Sequence, residues 1–317
     1  MYGVVHILLL GGLTPMALAA AAFGVSWAAS RRAGAAWNAG VVLGFAAGVT
    51  ALAARNIGLG PALQKLASPS MAQEWLPIVA LMALAPSALA AAGQRGWLRW
   101  VVAVPLCVAT PIWLLWGGKY LPSQEVRQSG FATDAWSAPQ AVAILGGVAV
   151  LLLVAWWSWT AVPHESAPRT RSLLVVVSLI GAAATVGLTG TFVYAQLCGA
   201  LAAAVGGGVV VAWIVNAKAG PEAAAGPVIV LTGALLLLAA CYSALPPWMA
   251  IGVAAAVVLS AGRIPGLQRL KPRVQLALRT FVCFLPLTLV LWQAVAAFLE
   301  TQRQQQEAAE SNPYLNL

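Results

Sequence analysis

A chain of 317 residues that is 61% hydrophobic and only 8% charged, with mean hydropathy +0.87, cannot cover itself with a water-soluble surface. Uncharged runs of about twenty residues are what a bilayer-spanning helix requires, and a helix satisfies its own backbone in lipid. The net charge of +9 comes without a polar domain to display it, which points away from nucleic acid and toward helix orientation and membrane lipids.

In chain order, apolar runs between charged breaks predict ten spans in a single bundle over residues 1–299. Five lie near 4–29, 36–54, 75–93, 98–118 and 139–162, and five near 172–190, 193–216, 226–244, 247–264 and 276–299. The first lacks a basic leader, and Arg31 and Arg32 follow it, so it reads as a retained helix with its N-terminus outside. "GLTGT" (Gly187–Thr191) and Pro246-Pro247 divide two runs that are too long for one span each. The halves 1–165 and 166–299 then carry five spans each, the arrangement of an inverted repeat, although no residue-level match relates them. Residues 300–317 form a short polar tail that prolongs the last helix before Asn312-Pro313.

Positive charge tests this count. One face receives Arg31, Arg32, Arg95, Arg99, Arg169, Arg171, Lys218, Arg263, Arg269, Lys271, Arg273 and Arg279. The other receives Arg55, Lys65, Lys119, Arg127 and Arg303, a split of 12 against 5. Fusing either divided run destroys the asymmetry, giving 7 against 10 or 8 against 9. The expected fold is an all-α polytopic protein, about ten helices, both termini on the non-cytoplasmic side of a bacterial inner membrane.

The stretch "AWWSWTAVPHESAPRTR" is dense in functional-looking side chains. Trp156, Trp157 and Trp159 fall at the inner end of the fifth span, with Arg169 and Arg171 ahead of the sixth, so all five read as interfacial anchors. A haem site is not expected: Ser158 stands where an acid is wanted, and His6 and His164 fall at opposite ends of the bundle. Cys107, Cys198, Cys241 and Cys283 all fall in apolar runs with no C-x-x-C spacing, and so read as small buried hydrophobes. Ser137 with Gln140, and Ser70 with Gln73, read as capping pairs.

No Asp, Glu, Lys or Arg lies in the middle of a predicted span, which argues against a proton path through carboxylates. With two distant histidines there is no metal set, and no hydrolase, zinc-protease or phosphate-loop motif is present. No enzymatic activity, cofactor or metal is expected. Gly40, Gly44 and Gly48, and again Gly199, Ala203 and Gly207, place small residues on one helix face for close packing or contact with another copy. Prolines concentrate in the third and fourth spans. Thr50, Ser87, Pro105, Thr110 and Pro111 are the candidate lining of a cavity. The expected function is a permease-like carrier or lipid-handling protein for an uncharged or amphiphilic substrate. The alternative is a non-catalytic accessory or assembly subunit of a larger membrane complex.

Overall fold

The computed structural model describes residues 9–85, 96–128, 134–161, 168–217, 220–264, 266 and 270–310, and among these it is all-α. After a π turn at Leu9–Leu13, helix α1 (Thr14–Ser30) starts on Pro15, where a missing N–H costs nothing, and stops at Arg31 in the left-handed conformation. Helix α2 (Ala33–Ile57) is 25 residues, about 37 Å, long enough to cross the ~30 Å core of a bilayer. Gly58, at φ 86°, breaks it and lets α3 (Leu59–Ala67) leave at a new angle. Helices α4 (Leu76–Met82), α5 (Gly96–Leu115), the short α6 (Gln124–Gln128) and α7 (Ala138–Thr160) complete the first half. The second half holds α8 (Pro168–Leu188), α9 (Phe192–Ile214), α10 (Ala225–Tyr242), α11 (Pro247–Ala261) and α12 (Pro272–Glu310).

Seven of these helices are long and apolar enough to cross a membrane: α1, α2, α7, α8, α9, α10 and α12. The other three predicted spans also fall on described helices. Helix α11 has 15 residues, about 22 Å, and α5 carries a 17-residue apolar stretch. Helix α4 covers only the start of the 75–93 run, of which residues 86–93 lie outside the described residues.

Helix α3 is an addition, in a stretch that hydropathy leaves between spans. Leu59 and Leu63, four apart, are exposed, while Ala62 is buried against the bundle. Its opposite face is held by Lys65, whose ammonium reaches the Glu74 carboxylate at 2.6 Å. Glu74 also accepts the Ser70 and Met71 backbone N–H groups, at 2.8 and 3.1 Å. Glu74, not Gln73, therefore closes this turn. At α7 the expected pair does so: Gln140 accepts the Ser137 backbone N–H at 3.0 Å.

The tightest packing joins α1, α2 and α9 through glycine. A methyl group at Gly44 would stand 2.5 Å from the Ala19 Cβ and 2.7 Å from the Pro15 carbonyl oxygen. Gly40 faces the Ala19 carbonyl, Gly48 faces Pro15 and Ala200, and Gly207 lies against the Met16 carbonyl. Gly199 meets nothing within 4 Å, and Ala203 is half-buried. The face of α9 that packs is Ala200, Ala204, Gly207 and Gly208, one residue round from the predicted stripe, with Gly208 receiving the ring of Trp37. The two sequence halves therefore interleave. Helix α1 packs on α9 of the second half, and α10 sits among α2, α4, α5, α7, α9 and α11.

Hydrogen bonds between distant residues show which helix ends lie together. Asn38 Nδ2 donates to the Ala223 carbonyl, Arg169 to Asn216, the Arg263 N–H to Ser158 and Arg279 to Ser260, all at an arginine-rich end. At the opposite end Tyr120 donates its hydroxyl to the Cys241 carbonyl at 3.0 Å and stacks on Trp136 with ring centroids 4.8 Å apart.

Two outcomes follow from this packing. Gly44→Val forces backbone apart and should lower stability by at least about 2 kcal/mol in detergent melts, whereas Gly199→Val should change it by under about 0.5. Burial pushes the Glu74 carboxyl up, but Lys65 and the donors of Ser70 and Met71 outweigh it and hold it at about 2, below the usual 4.5. The clamp on α3 should hold above about pH 4.5 and weaken as pH falls toward 2, seen as faster amide exchange at Ser70 and Met71. Glu74→Gln should flatten that dependence.

Candidate functional site

Inside an apolar helix a threonine hydroxyl normally bonds the carbonyl four residues back, which leaves nothing for a ligand. Thr50 does so to Ala46 at 2.8 Å and Thr110 to Leu106 at 2.7 Å; Thr185 and Thr288 follow the same pattern at 2.9 Å. Of the predicted cavity lining, Thr110 and Pro111 are buried, Thr50 is half-buried and Pro105 is exposed. Ser87 lies outside the described residues.

Thr232 departs from this pattern. It is 5% exposed and its hydroxyl has no hydrogen-bond partner. It stands about 10 Å from one end of α10 and about 15 Å from the other, near the middle of the most enclosed of the span-length helices. A hydroxyl left bare at such a place is costly, so it marks a point where a polar group of something else would be welcome. Helix α5, which packs against α10, carries an interrupted backbone ladder. Pro111 has no N–H, so the carbonyl of buried Cys107 has no donor four residues on. A second bare acceptor lies toward the arginine-rich end: Asn38 is 4% exposed and uses both amide hydrogens, on Gly34 and Ala223, while its Oδ1 is unpartnered. No signal in the sequence distinguishes Thr232 from Thr110; only the tertiary packing separates them.

The tryptophan cluster divides. Trp157 is exposed, as an interfacial anchor should be. Trp156 is buried and fills the space above Gly226, and Trp159 is fully buried and donates its indole N–H to the Val258 carbonyl at 3.0 Å. These two rings tie α7 to α10 and α11 and are enclosed by the bundle. Arg169 is exposed and holds Asn216, joining the start of α8 to the end of α9. Arg171 is 2% exposed, so it is part of the packed end and not a surface anchor. His6 and His164 lie outside the described residues; among the described residues no three metal-binding side chains come together. All four cysteines are buried and unpaired.

No protein-family model matches this chain, and no characterised protein or solved structure matches it either.

The bare hydroxyl makes an unusual expectation. Thr232→Val removes a buried polar atom at nearly constant shape, so it should raise the stability of the empty protein by about 1 kcal/mol. Thr110→Val, which loses the bond to Leu106, should gain nothing. Thermal melts of both variants beside the wild type measure this.

Proposed function

We propose that the protein is a permease-like carrier, or a lipid-handling protein, for an uncharged or amphiphilic substrate. In this reading ten helices cross a bacterial inner membrane, both termini lie on the non-cytoplasmic side, and the arginine-rich end faces the cytoplasm. The observation that carries it is the unpartnered Thr232 hydroxyl at mid-depth of α10, beside the proline-interrupted α5. Mid-depth polar groups next to broken helices are where carriers hold their substrates. A hydroxyl and a free backbone carbonyl can hold a neutral donor–acceptor group. They have no charge to offer an ion. The short α11 fits a bundle whose inner helices need not all span alone, and α3, with Leu59 and Leu63 outward, fits a helix lying on the outer membrane surface.

One observation favours the second reading, a non-catalytic subunit of a membrane complex. Helix α12 leaves the bundle after buried Ala294, is exposed from Val295 to Ala308, and continues as the polar helix Glu300–Glu310. A helix polar on every side commonly bridges to something else.

Native mass spectrometry of the protein, extracted gently from its own membranes, separates the two. A monomer or homo-oligomer that retains a small molecule or lipid, and loses it in Thr232→Val, is the expected result. A stoichiometric protein partner with no retained small molecule would sink the carrier and point to α12.

A further inference from the structure

We infer that the arginine-rich end of the bundle is a binding surface for acidic phospholipids, centred on the α11–α12 connection and the first two turns of α12. This rests on the chain being membrane-embedded and is independent of what its interior holds.

Residues 263–279 carry Arg263, Arg269, Lys271, Arg273 and Arg279 with no acid among them. The segment is fastened at both sides. Gly262 lies against Ser158 and Trp159, the Arg263 N–H donates to the Ser158 carbonyl at 2.9 Å, and Arg279 Nη1 donates to the Ser260 carbonyl at 3.3 Å. Between these fixed points Arg263, Lys271 and Arg273 are exposed.

Two features show that the charge is directed at something outside the chain. First, Lys271 and Arg273 stand at the N-terminus of a 39-residue helix, where the backbone dipole is already positive and cations are disfavoured. An external anion relieves both at once. Second, the sequence supplies few acids to this end. Assigning the loops by the alternation of helix ends, the arginine-rich end has twelve of the seventeen cations but only Glu165 and Glu222 of the eight acids. A net +10 there stands against −1 at the other end, which together make the chain's +9.

The surroundings select lipid over a soluble polyanion. Leu270, Val274, Leu276 and Leu278 are exposed among the cations. A nucleic acid or free phosphate would leave Leu270 and Val274, which precede the predicted span 276–299, in water. A phospholipid meets both kinds, its phosphate on the cations and its upper acyl chain on the leucines.

The test compares retention of phosphatidylglycerol and phosphatidylcholine with identical acyl chains, by native mass spectrometry from equimolar mixed micelles. Each cation near an acidic surface is worth roughly a fivefold change in partitioning, so wild type should prefer phosphatidylglycerol by more than about tenfold. Arg263→Gln/Lys271→Gln/Arg273→Gln should lose most of that preference, with Lys271→Gln alone intermediate. Lys119→Gln/Arg303→Gln at the opposite end should keep it. Melts in phosphatidylcholine confirm that each variant is folded, and Lys271→Gln carries the comparison if the triple variant is not. Equal retention of the two lipids by wild type, or a preference unmoved by Lys271→Gln and the folded triple variant, would overturn the proposal. So would displacement of phosphatidylglycerol by millimolar inorganic phosphate, which would identify a free phosphate as the ligand.

Discussion

The contact on which the bundle depends is backbone against backbone, between the glycine face of α2 and the Pro15–Ala19 turn of α1. Lipid tails are as apolar as leucine, so helices in a bilayer gain little by hiding apolar side chains from their surroundings. What they gain is close approach. Gly40, Gly44 and Gly48 remove every side chain from one face, and the carbonyls and Ala19 of α1 fill the space. Gly207 brings α9 onto the Met16 carbonyl, and Gly208 lodges the Trp37 ring. The first helix is thereby committed to α9, which interleaves the two halves of the sequence, and α8 follows α9 to carry α11 and α12 with it.

Around this node the described buried threonines other than Thr232 bond their own helices, and other polar groups bridge between helices. Asn38 bridges α2 to the turn before α10, and Trp159 bridges α7 to α11. Such economy is expected where no water is at hand. It gives meaning to the exception at Thr232, since a hydroxyl at that depth could have bonded its own helix as its counterparts do. Charge obeys the same economy in reverse. It is expelled to the ends and concentrated at one of them, where acids are few in the sequence and cations stand at the N-terminus of α12.

Much of this was legible in the sequence. Each of the ten apolar runs contains a described helix, and the two divisions made on turn residues hold. Gly190 takes a positive φ of 94° ahead of α9, and Pro246 precedes α11 with Pro247 as its first residue. Glycine and proline announce breaks because their constraints are local. Facing is another matter. A helix that is apolar all round has no polar side to show which way it turns, so the pattern on α9 could be read one residue away from the face that packs. Composition likewise made anchors of Trp156, Trp159 and Arg171, since those residue types favour the membrane interface whenever they are free to reach it. Helix α3 was missed because nine residues interrupted by Pro61 are too short to register as a span.

The sequence by itself determined that this is an all-α chain with helices apolar enough to cross a membrane, where those helices break, and which ends collect positive charge. Those properties follow from hydropathy and backbone conformation, which act residue by residue. Only the tertiary structure decided which small-residue faces touch, which tryptophans are enclosed and which threonine is left without a partner. Each of those depends on the rotation of one helix against another, and that rotation is set by close packing summed over many residues far apart in the chain.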